Sequence, residues 1–162
     1  MDIALVRVDN RLVHGQIIEG WVPFIRANCI FVVDDDVASD FFRETVIKMA
    51  VPRDVEVTVY GIEMFVRMVP FKREKGDKAI VLFSNITDAL RAFNLGFKFP
   101  KLNVGNIYNE DCRHQLSSCV LLSEEDIASI HSLHQAHVQI ELRRVPREKP
   151  FDVRTLLNTP PS

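Results

Sequence analysis

The sequence of 162 residues predicts one α/β domain, a three-layer, doubly wound fold with a mainly parallel central sheet and helices on both faces. Short apolar segments alternate along the chain with longer segments of helical period, an order typical of strand–helix–strand units with right-handed crossovers. The early apolar segments are apolar on both faces, as strands of a parallel sheet covered on both sides are. The chain is also long enough for one domain with a hydrophobic core.

Seven apolar segments are predicted as strands of this sheet. They are residues 3–8, 29–33, 55–60, 79–83, 102–104, 119–122 and 138–142. The last segment differs from the others because its apolar residues alternate with Gln139, Glu141 and Arg143. This alternation predicts an edge strand with one face in solvent.

Apolar residues at helical spacing predict five helices between the strands. The helices are marked by residues 17–25, 38–49, 62–69 and 86–93, and by the segment that begins at Ser123. Pro23 should kink or shorten the first helix, and the second should end before Pro52. Gly96 suits the end of the fourth helix, and Ser123 with Asp126 has the spacing of a capping box. Residues 1–146 are predicted as the domain and 147–162, rich in proline, as its C-terminal surface tail.

The composition limits the class of protein. Hydrophobic residues make up 47% and charged residues 26%, and the formal net charge is −2. A nucleic-acid partner is not expected, because such proteins usually carry a basic surplus. No apolar run approaches the ~20 residues that span a bilayer, and no signal peptide is visible. The three cysteines are odd in number and have no C-x-x-C spacing, which indicates reduced thiols in a cytoplasmic protein.

The densest polar chemistry lies between the first strand and the first helix, in residues 7–16, Arg-Val-Asp-Asn-Arg-Leu-Val-His-Gly-Gln. Ligands of open α/β sheets bind outside the carboxyl ends of the strands, so this loop is well placed for a site. We expect the His14 side chain to be exposed there, just before the helix, since a donor and an acceptor must both reach it.

The residue types of this loop fit phosphoryl transfer. A neutral His14 offers one ring nitrogen as nucleophile, and Arg11 can bind an anionic phosphoryl group through its planar guanidinium. Backbone N–H groups from Gly15 onward form a natural anion site, and Gly15 allows close approach of the backbone. Asp9 could orient His14 or Arg11. The alternative is that Asp9 and Arg11 form a loop ion pair and that His14 only begins a helix.

The segment 7–16 resembles the signature of the IIB subunits of the mannose/fructose/sorbose family of the sugar phosphotransferase system (PTS). The likeness continues, in order, at residues 32–40, 102–106 and 123–127 and near Val145 and Pro146. The resemblance implies that His14 accepts a phosphoryl group from a phosphorylated IIA protein. It then passes the group to a sugar during uptake through membrane IIC and IID components.

The resemblance also assigns roles to individual residues. It makes Arg11 necessary at the transfer step, places Asp9 and Gln16 in the same pocket, and indicates Gly15, Asn10 and Arg11 as phosphate-binding residues. It implies the doubly wound fold, the absence of metal and organic cofactors, and a cytoplasmic protein that IIC and IID could hold at the inner face of the membrane. The sugar, the phosphorylated nitrogen and the oligomeric state stay open, a homodimer included.

A second loop is predicted to border the site, because Asn103, Gly105 and Asn106 lie at the end of a strand on the site side. Gly105 serves either a tight turn or backbone donors near the phosphate. The following loop, residues 107–114, is less basic than in the family because of Glu110 and Asp111. If it borders the site, partner or sugar preference changes, and phosphorylation of His14 is then a firmer expectation than transport.

Other functions and sites are weighed against this one. A regulatory phospho-switch that does not feed transport is the alternative function, whereas a nucleotide-binding domain is weakened by the lack of G-x-G-x-x-G and P-loop motifs. Asp34, Asp35 and Asp36 are better explained as the start of a helix than as a metal site. His131, His134 and His137 are better explained as surface residues than as zinc ligands.

Overall fold

The computed structural model describes residues 1–69, 76–108 and 120–154, and the backbone of 114–117. Its strands are β1 (Asp2–Val8), β2 (Cys29–Val33), β3 (Glu56–Tyr60), β4 (Lys78–Phe83), β5 (Lys101–Val104), β6 (His114–Ser117), β7 (Val120–Leu122), β8 (Gln139–Leu142) and β9 (Phe151–Asp152). A π-helical segment, Gln16–Trp21, continues into α1 (Val22–Ile25). The other helices are α2 (Asp35–Ala38), α3 (Phe41–Ala50), α4 (Ile62–Met68), α5 (Ile86–Asn94) and α6 (Glu124–Gln135).

Seven strands form the central sheet in the order β3-β2-β4-β1-β5-β8-β9. All neighbours pair in parallel except β9, which is antiparallel to β8. The predicted doubly wound α/β fold is confirmed. The chain crosses from β1 to one side of the sheet and returns to β5 on the other side. The carboxyl end of β1 therefore lies where the winding reverses, the usual ligand position in such sheets.

The central strands bury side chains on both faces, as their sequences predict. Ile30, Val32, Ile80 and Leu82 belong to one core, with the π-helical segment, α1 and α2. Phe31, Val33, Val81 and Phe83 belong to the other core, with α4, α5 and α6. Successive residues of one strand thus enter opposite layers, since side chains alternate along a strand. The sheet is covered on both faces.

Helix ends follow the predicted chemistry. The Asp34 carboxylate accepts a hydrogen bond from Val37 N at 2.8 Å and caps α2. Ser123 and Asp126 form the complete capping box of α6. Gly96, with φ of 117°, follows the end of α5. Pro23 lies in the first turn of α1, which ends two residues later at Ile25.

The predictions for the end of the chain need correction. β8 is not an edge strand, because β9 pairs with it. Its expected solvent face is also wrong, since Glu141 is buried and bonds Asn103 and Lys101. The described part of the predicted tail, residues 147–154, supplies β9 and the buried Val153. The strand predicted at 119–122 appears as β7, in a separate hairpin with β6.

The helix predicted from residues 38–49 is divided into α2 and α3, because Asp40 caps a new helix through Phe42 N and Arg43 N. The apolar residues that predicted it are exposed: Phe42 is 75% and Met49 81% accessible. The spacing identified a helix but not its buried face. No helix within the described residues is both long and apolar enough to cross a bilayer.

Candidate functional site

The loop after β1 is tied to both neighbouring strands. Asp9 N donates to Phe83 O and Asn10 N to Asn106 O, each at 2.9 Å. His14 lies at the end of this loop, and its carbonyl accepts the N–H groups of Ile17 and Ile18 at 3.0 Å. The imidazole is therefore held at the carboxyl edge of the sheet, directly before the first helical segment, as the sequence predicts.

Asp9 is the centre of the site. Its side chain is fully buried, and Oδ2 accepts hydrogen bonds from Arg7 Nη2 at 2.8 Å, from Asn106 Nδ2 at 2.8 Å and from the His14 ring at 2.9 Å. Burial alone would raise the pKa of Asp9. The His14 hydrogen bond, the Arg7 charge and the Asn106 amide outweigh burial, so this pKa lies below its ordinary value.

The ionised Asp9 carboxylate determines which nitrogen of the neutral His14 ring carries the proton. A carboxylate is only an acceptor, so the ring nitrogen at 2.9 Å from it, Nε2, must carry the proton. The lone pair of the neutral ring is then on Nδ1, which has no hydrogen-bond partner within the described part of the chain. Asp9 thus orients His14, one of the two roles considered for it. Arg11 reaches Asp9 only through its backbone N–H, at 3.1 Å, and no Asp9–Arg11 ion pair forms.

The expected exposure of His14 is wrong. Its side chain is only 8% accessible, because the ring turns inward to reach the fully buried Asp9. Nδ1 is itself buried. The position predicted from the sequence is right, whereas a buried hydrogen-bond partner determines the orientation of the side chain.

Other predicted site residues lie close to His14 in the chain. Arg11 and Asn10 are exposed, and the Asn10 amide donates to Tyr108 O at 3.3 Å. Gln16 Oε1 accepts a bond from Asn106 Nδ2 at 2.9 Å, so both belong to the site. Gly15 has an ordinary helical backbone, and an added Cβ would meet nothing within 4 Å. Within the described residues, neither conformation nor packing requires glycine at this position, next to His14.

The second predicted loop contributes in a different way from what was expected. Asn106 lies in the site, but Asn103 is buried beneath it, where it binds Arg7 and Glu141. Gly105 N donates to Val8 O at 3.0 Å, so this N–H is not a phosphate donor. A Cβ on Gly105 would lie 1.8 Å from Arg7 Nη2. Glycine is required here because the Arg7 guanidinium occupies the space, and neither earlier explanation applies.

Arg7 is the site residue that the sequence analysis missed. It is fully buried and binds Asp9, Asn103 and the backbone carbonyls of Arg143 and Arg144. Burial lowers its pKa, and the charge of Asp9 opposes that shift. A charged residue inside an apolar strand, two positions before another charged residue, was the available signal, because the two side chains then share one face.

A cleft of about 600 Å³ begins beside the site. It lies between the first helical segment and the chain after β8, and Gly15, Gln16, Phe24 and Pro146 are among its lining residues. The cleft therefore gives a partner or acceptor room to approach the segment that follows His14.

Two of the discounted metal positions, Asp34 and Asp35, have other partners. Asp34 caps α2 and accepts a bond from Ser84, and Asp35 binds Arg91 at 2.8 Å. His131 and His134 lie exposed on α6, and His137 follows its end. No group of three or more potential metal ligands occurs among the residues that the structure describes.

Comparison with known proteins identifies the family to which this chain is similar. Residues 3–161 match the model of the PTS system sorbose subfamily IIB component. The fructose-specific EIIB component of Bacillus subtilis is 32% identical over 152 residues, covering 94% of this chain and 93% of that protein. The mannose-specific EIIAB component of Escherichia coli is 31% identical over 156 residues, and this match spans 94% of this chain but only 48% of that longer protein.

Solved structures agree with these relatives. The IIB domain of the sorbose permease from Klebsiella pneumoniae superposes with a TM-score of 0.89 and 29% identity, over 98% of this chain and 97% of that domain. A chain described as a phosphoenolpyruvate-dependent phosphotransferase system gives a TM-score of 0.88 at 32% identity, over 97% of this chain and 98% of that one. The chain belongs to the sorbose-subfamily IIB components of the sugar phosphotransferase system, a family of phosphotransferases.

Proposed function

We propose that this protein is a phosphohistidine carrier whose acceptor atom is Nδ1 of His14. Because Nδ1 is buried in the structure, the proposal requires the side chains around it to move when the donor binds. The observation that carries the proposal is the hydrogen bond from Nε2 to the buried Asp9, which leaves the lone pair of the neutral ring on Nδ1. Family membership supports phosphoryl transfer as the chemistry. A phosphorylated IIA protein is the proposed donor.

The two transfers follow from this arrangement. In the first, the phosphorus–nitrogen bond of the donor breaks as a bond forms between phosphorus and Nδ1. Because Nε2 keeps its proton, the phosphorylated ring is cationic, and the Asp9 carboxylate stabilises it across the existing hydrogen bond. In the second, a sugar hydroxyl oxygen attacks phosphorus, His14 leaves as a neutral ring, and the hydroxyl proton passes to solvent.

Arg11 supplies the positive charge on the outer side of the site. Its side chain is exposed, and no hydrogen bond or ion pair of its guanidinium occurs within the described residues. It is therefore available to bind phosphoryl oxygens in a bidentate manner. Asp9 lies behind the ring, bound through Nε2, so its charge does not face the incoming phosphate directly.

The proposed acceptor is a sugar presented by IIC and IID membrane components at the inner face of the membrane. A regulatory phospho-switch is the alternative, motivated by Glu110 and Asp111, which lie outside the described residues. Membranes that contain IIC and IID distinguish the two functions. Loss of phosphate to a sugar in their presence supports transport, whereas phosphate retained on His14 favours the switch.

His14→Ala tests the acceptor. The protein is incubated with a phosphorylated IIA protein, and acid-labile, alkali-stable phosphate is located by mass spectrometry. The substitution should abolish incorporation and leave the fold intact. His131→Ala is the matched control, since His131 is an exposed histidine on α6, and it should be phosphorylated like the wild type. Phosphate retained in His14→Ala would assign the acceptor elsewhere.

Arg11→Lys tests the role of the guanidinium. Onward transfer to sugar should slow markedly, because an ammonium group does not reproduce bidentate phosphate contact. The free energy of unfolding should change by no more than about 0.5 kcal/mol, since the residue is exposed. Single-turnover transfer from phosphorylated protein measures the first quantity and urea unfolding the second. Wild-type transfer rates in the variant would exclude Arg11 from the mechanism.

A further inference from the structure

The guanidinium of Arg7 lies directly behind the His14–Asp9 pair. We propose that Arg7 is a positioning residue that acts through Asp9, holding His14 with Nε2 bonded inward and Nδ1 free to accept phosphate. The inference deepens the proposed function and rests on it, because it names a residue that prepares the acceptor atom without touching the phosphoryl group. Three features of the structure carry it.

The first feature is the complete use of the terminal donors of Arg7. Nη1 donates to Asn103 Oδ1 at 2.5 Å and to Arg143 O at 2.8 Å. Nη2 donates to Asp9 Oδ2 at 2.8 Å and to Arg144 O at 3.1 Å. Each terminal nitrogen thus makes two hydrogen bonds. A lysine could not reproduce this set, because its donors radiate from a single nitrogen.

The second feature is steric confinement. The Arg7 guanidinium carbon lies 5.6 Å from the centre of the Trp21 ring, and Trp21 Nε1 donates to the same Arg144 carbonyl at 2.9 Å. On another side, Gly105 leaves no space for even a methyl group, since an added Cβ would be 1.8 Å from Nη2. The guanidinium therefore has one position, and the carboxylate bound to it is fixed with it.

The third feature is a shared oxygen. The same Oδ2 of Asp9 accepts bonds from Arg7 at 2.8 Å and from His14 Nε2 at 2.9 Å. The buried positive charge of Arg7 favours the ionised carboxylate, and an ionised carboxylate accepts a proton donor only. If Arg7 were displaced, the Asp9 carboxylate would no longer be fixed in position. The His14 ring would then no longer be held in its Nε2–H form.

Gly105→Ala is the sharpest test because it displaces the Arg7 guanidinium without changing Arg7, Asp9 or His14. Gly61→Ala is the matched control. Its Cβ would meet a carboxylate oxygen of Asp35 at 2.9 Å, after the edge strand β3. Two quantities are measured on each folded protein: the tautomer of the neutral His14 ring, from ¹⁵N chemical shifts across pH, and the rate of His14 phosphorylation by a phosphorylated IIA protein.

In wild type and Gly61→Ala the neutral ring should be almost entirely Nε2–H. In Gly105→Ala the Nδ1–H form should become a substantial fraction, and phosphorylation should slow by about 10²-fold, the loss typical of a group misplaced by ~1 Å. Asn103→Ser, which loosens Arg7 from one side, should shift both quantities in the same direction and serves if Gly105→Ala does not fold.

An unchanged tautomer and an unchanged rate in a folded Gly105→Ala or Asn103→Ser protein would overturn the positioning role. Arg7 would then only join β1 to the chain after β8. Failure of the proposed function is distinguishable, because absence of phosphate on wild-type His14 would refute the acceptor assignment while the tautomer measurement still reports on Arg7.

Discussion

Asp9 binds the positive Arg7 and the neutral His14 ring from a position without solvent contact. Its carboxylate is the only charged acceptor that the structure shows bound to the buried Arg7, so it serves stability as well as chemistry. Removing one member of a buried ion pair typically costs about 3–5 kcal/mol, because the other charge stays buried without compensation. Asp9→Asn should therefore lower the free energy of unfolding by about that amount.

Asp9 also makes the free energy of unfolding depend on pH, with lower stability in acid. The pKa of Asp9 is below its ordinary value of 3.8 in the folded protein, so its contribution is complete above about pH 4 and is lost as the pH falls through the folded pKa. Urea unfolding between pH 2 and 7 measures this loss. Asp9→Asn should lack it, whereas Asp54→Asn, an exposed control, should retain it. An unaltered acid profile in Asp9→Asn would contradict the assignment.

The place of the β1 loop at the carboxyl edge of the sheet could be predicted from the sequence. The orientation of His14 and the role of Gly105 could not. Both depend on Arg7, whose partners other than Asp9 are 96 to 137 positions away in the chain. The sequence shows that a glycine is present and does not show which side chain fills the space beside it. The sequence reveals the chemistry of neighbouring residues, whereas contacts between distant segments are seen only in the structure.

At the scale of elements, α3 and α4 show what the spacing of apolar residues can and cannot predict about a helix. Both helices were predicted from the same period, yet Phe65 of α4 is fully buried and Phe42 of α3 is 75% accessible. An apolar stripe on a helix normally faces the core, and α3 departs from this rule because its apolar residues are exposed. The apolar residues of α3 therefore predicted the helix but not its packing.

A matched pair of substitutions checks this difference. Phe65→Ala should cost about 3–5 kcal/mol, because it opens a cavity among Phe31, Phe83 and Phe97. Phe42→Ala should change the free energy of unfolding by about 0.5 kcal/mol or less. Chemical denaturation of the two variants compares them directly, and a large loss in Phe42→Ala would mean that a partner covers α3.

At the scale of the whole molecule, the doubly wound order could be predicted because apolar strands and amphipathic helices alternate visibly. The last strand of the sheet, β9, could not be predicted. It has only two residues, Phe151 and Asp152, and follows a proline-rich segment. So short a strand has no periodicity of its own and forms only because β8 offers it a free edge. The two antiparallel elements, β9 and the β6–β7 hairpin, are the parts least accessible to pattern analysis.

The bonds from Arg7 to the carbonyls of Arg143 and Arg144 join positions 136 and 137 residues apart. During synthesis, the loop that holds His14 leaves the ribosome before Arg143 and Arg144, whose carbonyls hold Arg7. A nascent chain that already displays its histidine therefore lacks the support that orients it. On the proposed function, competence to receive phosphate is therefore acquired only once Arg143 and Arg144 have folded against Arg7, and a chain that ends before them would be a poor competitor for a phosphorylated donor.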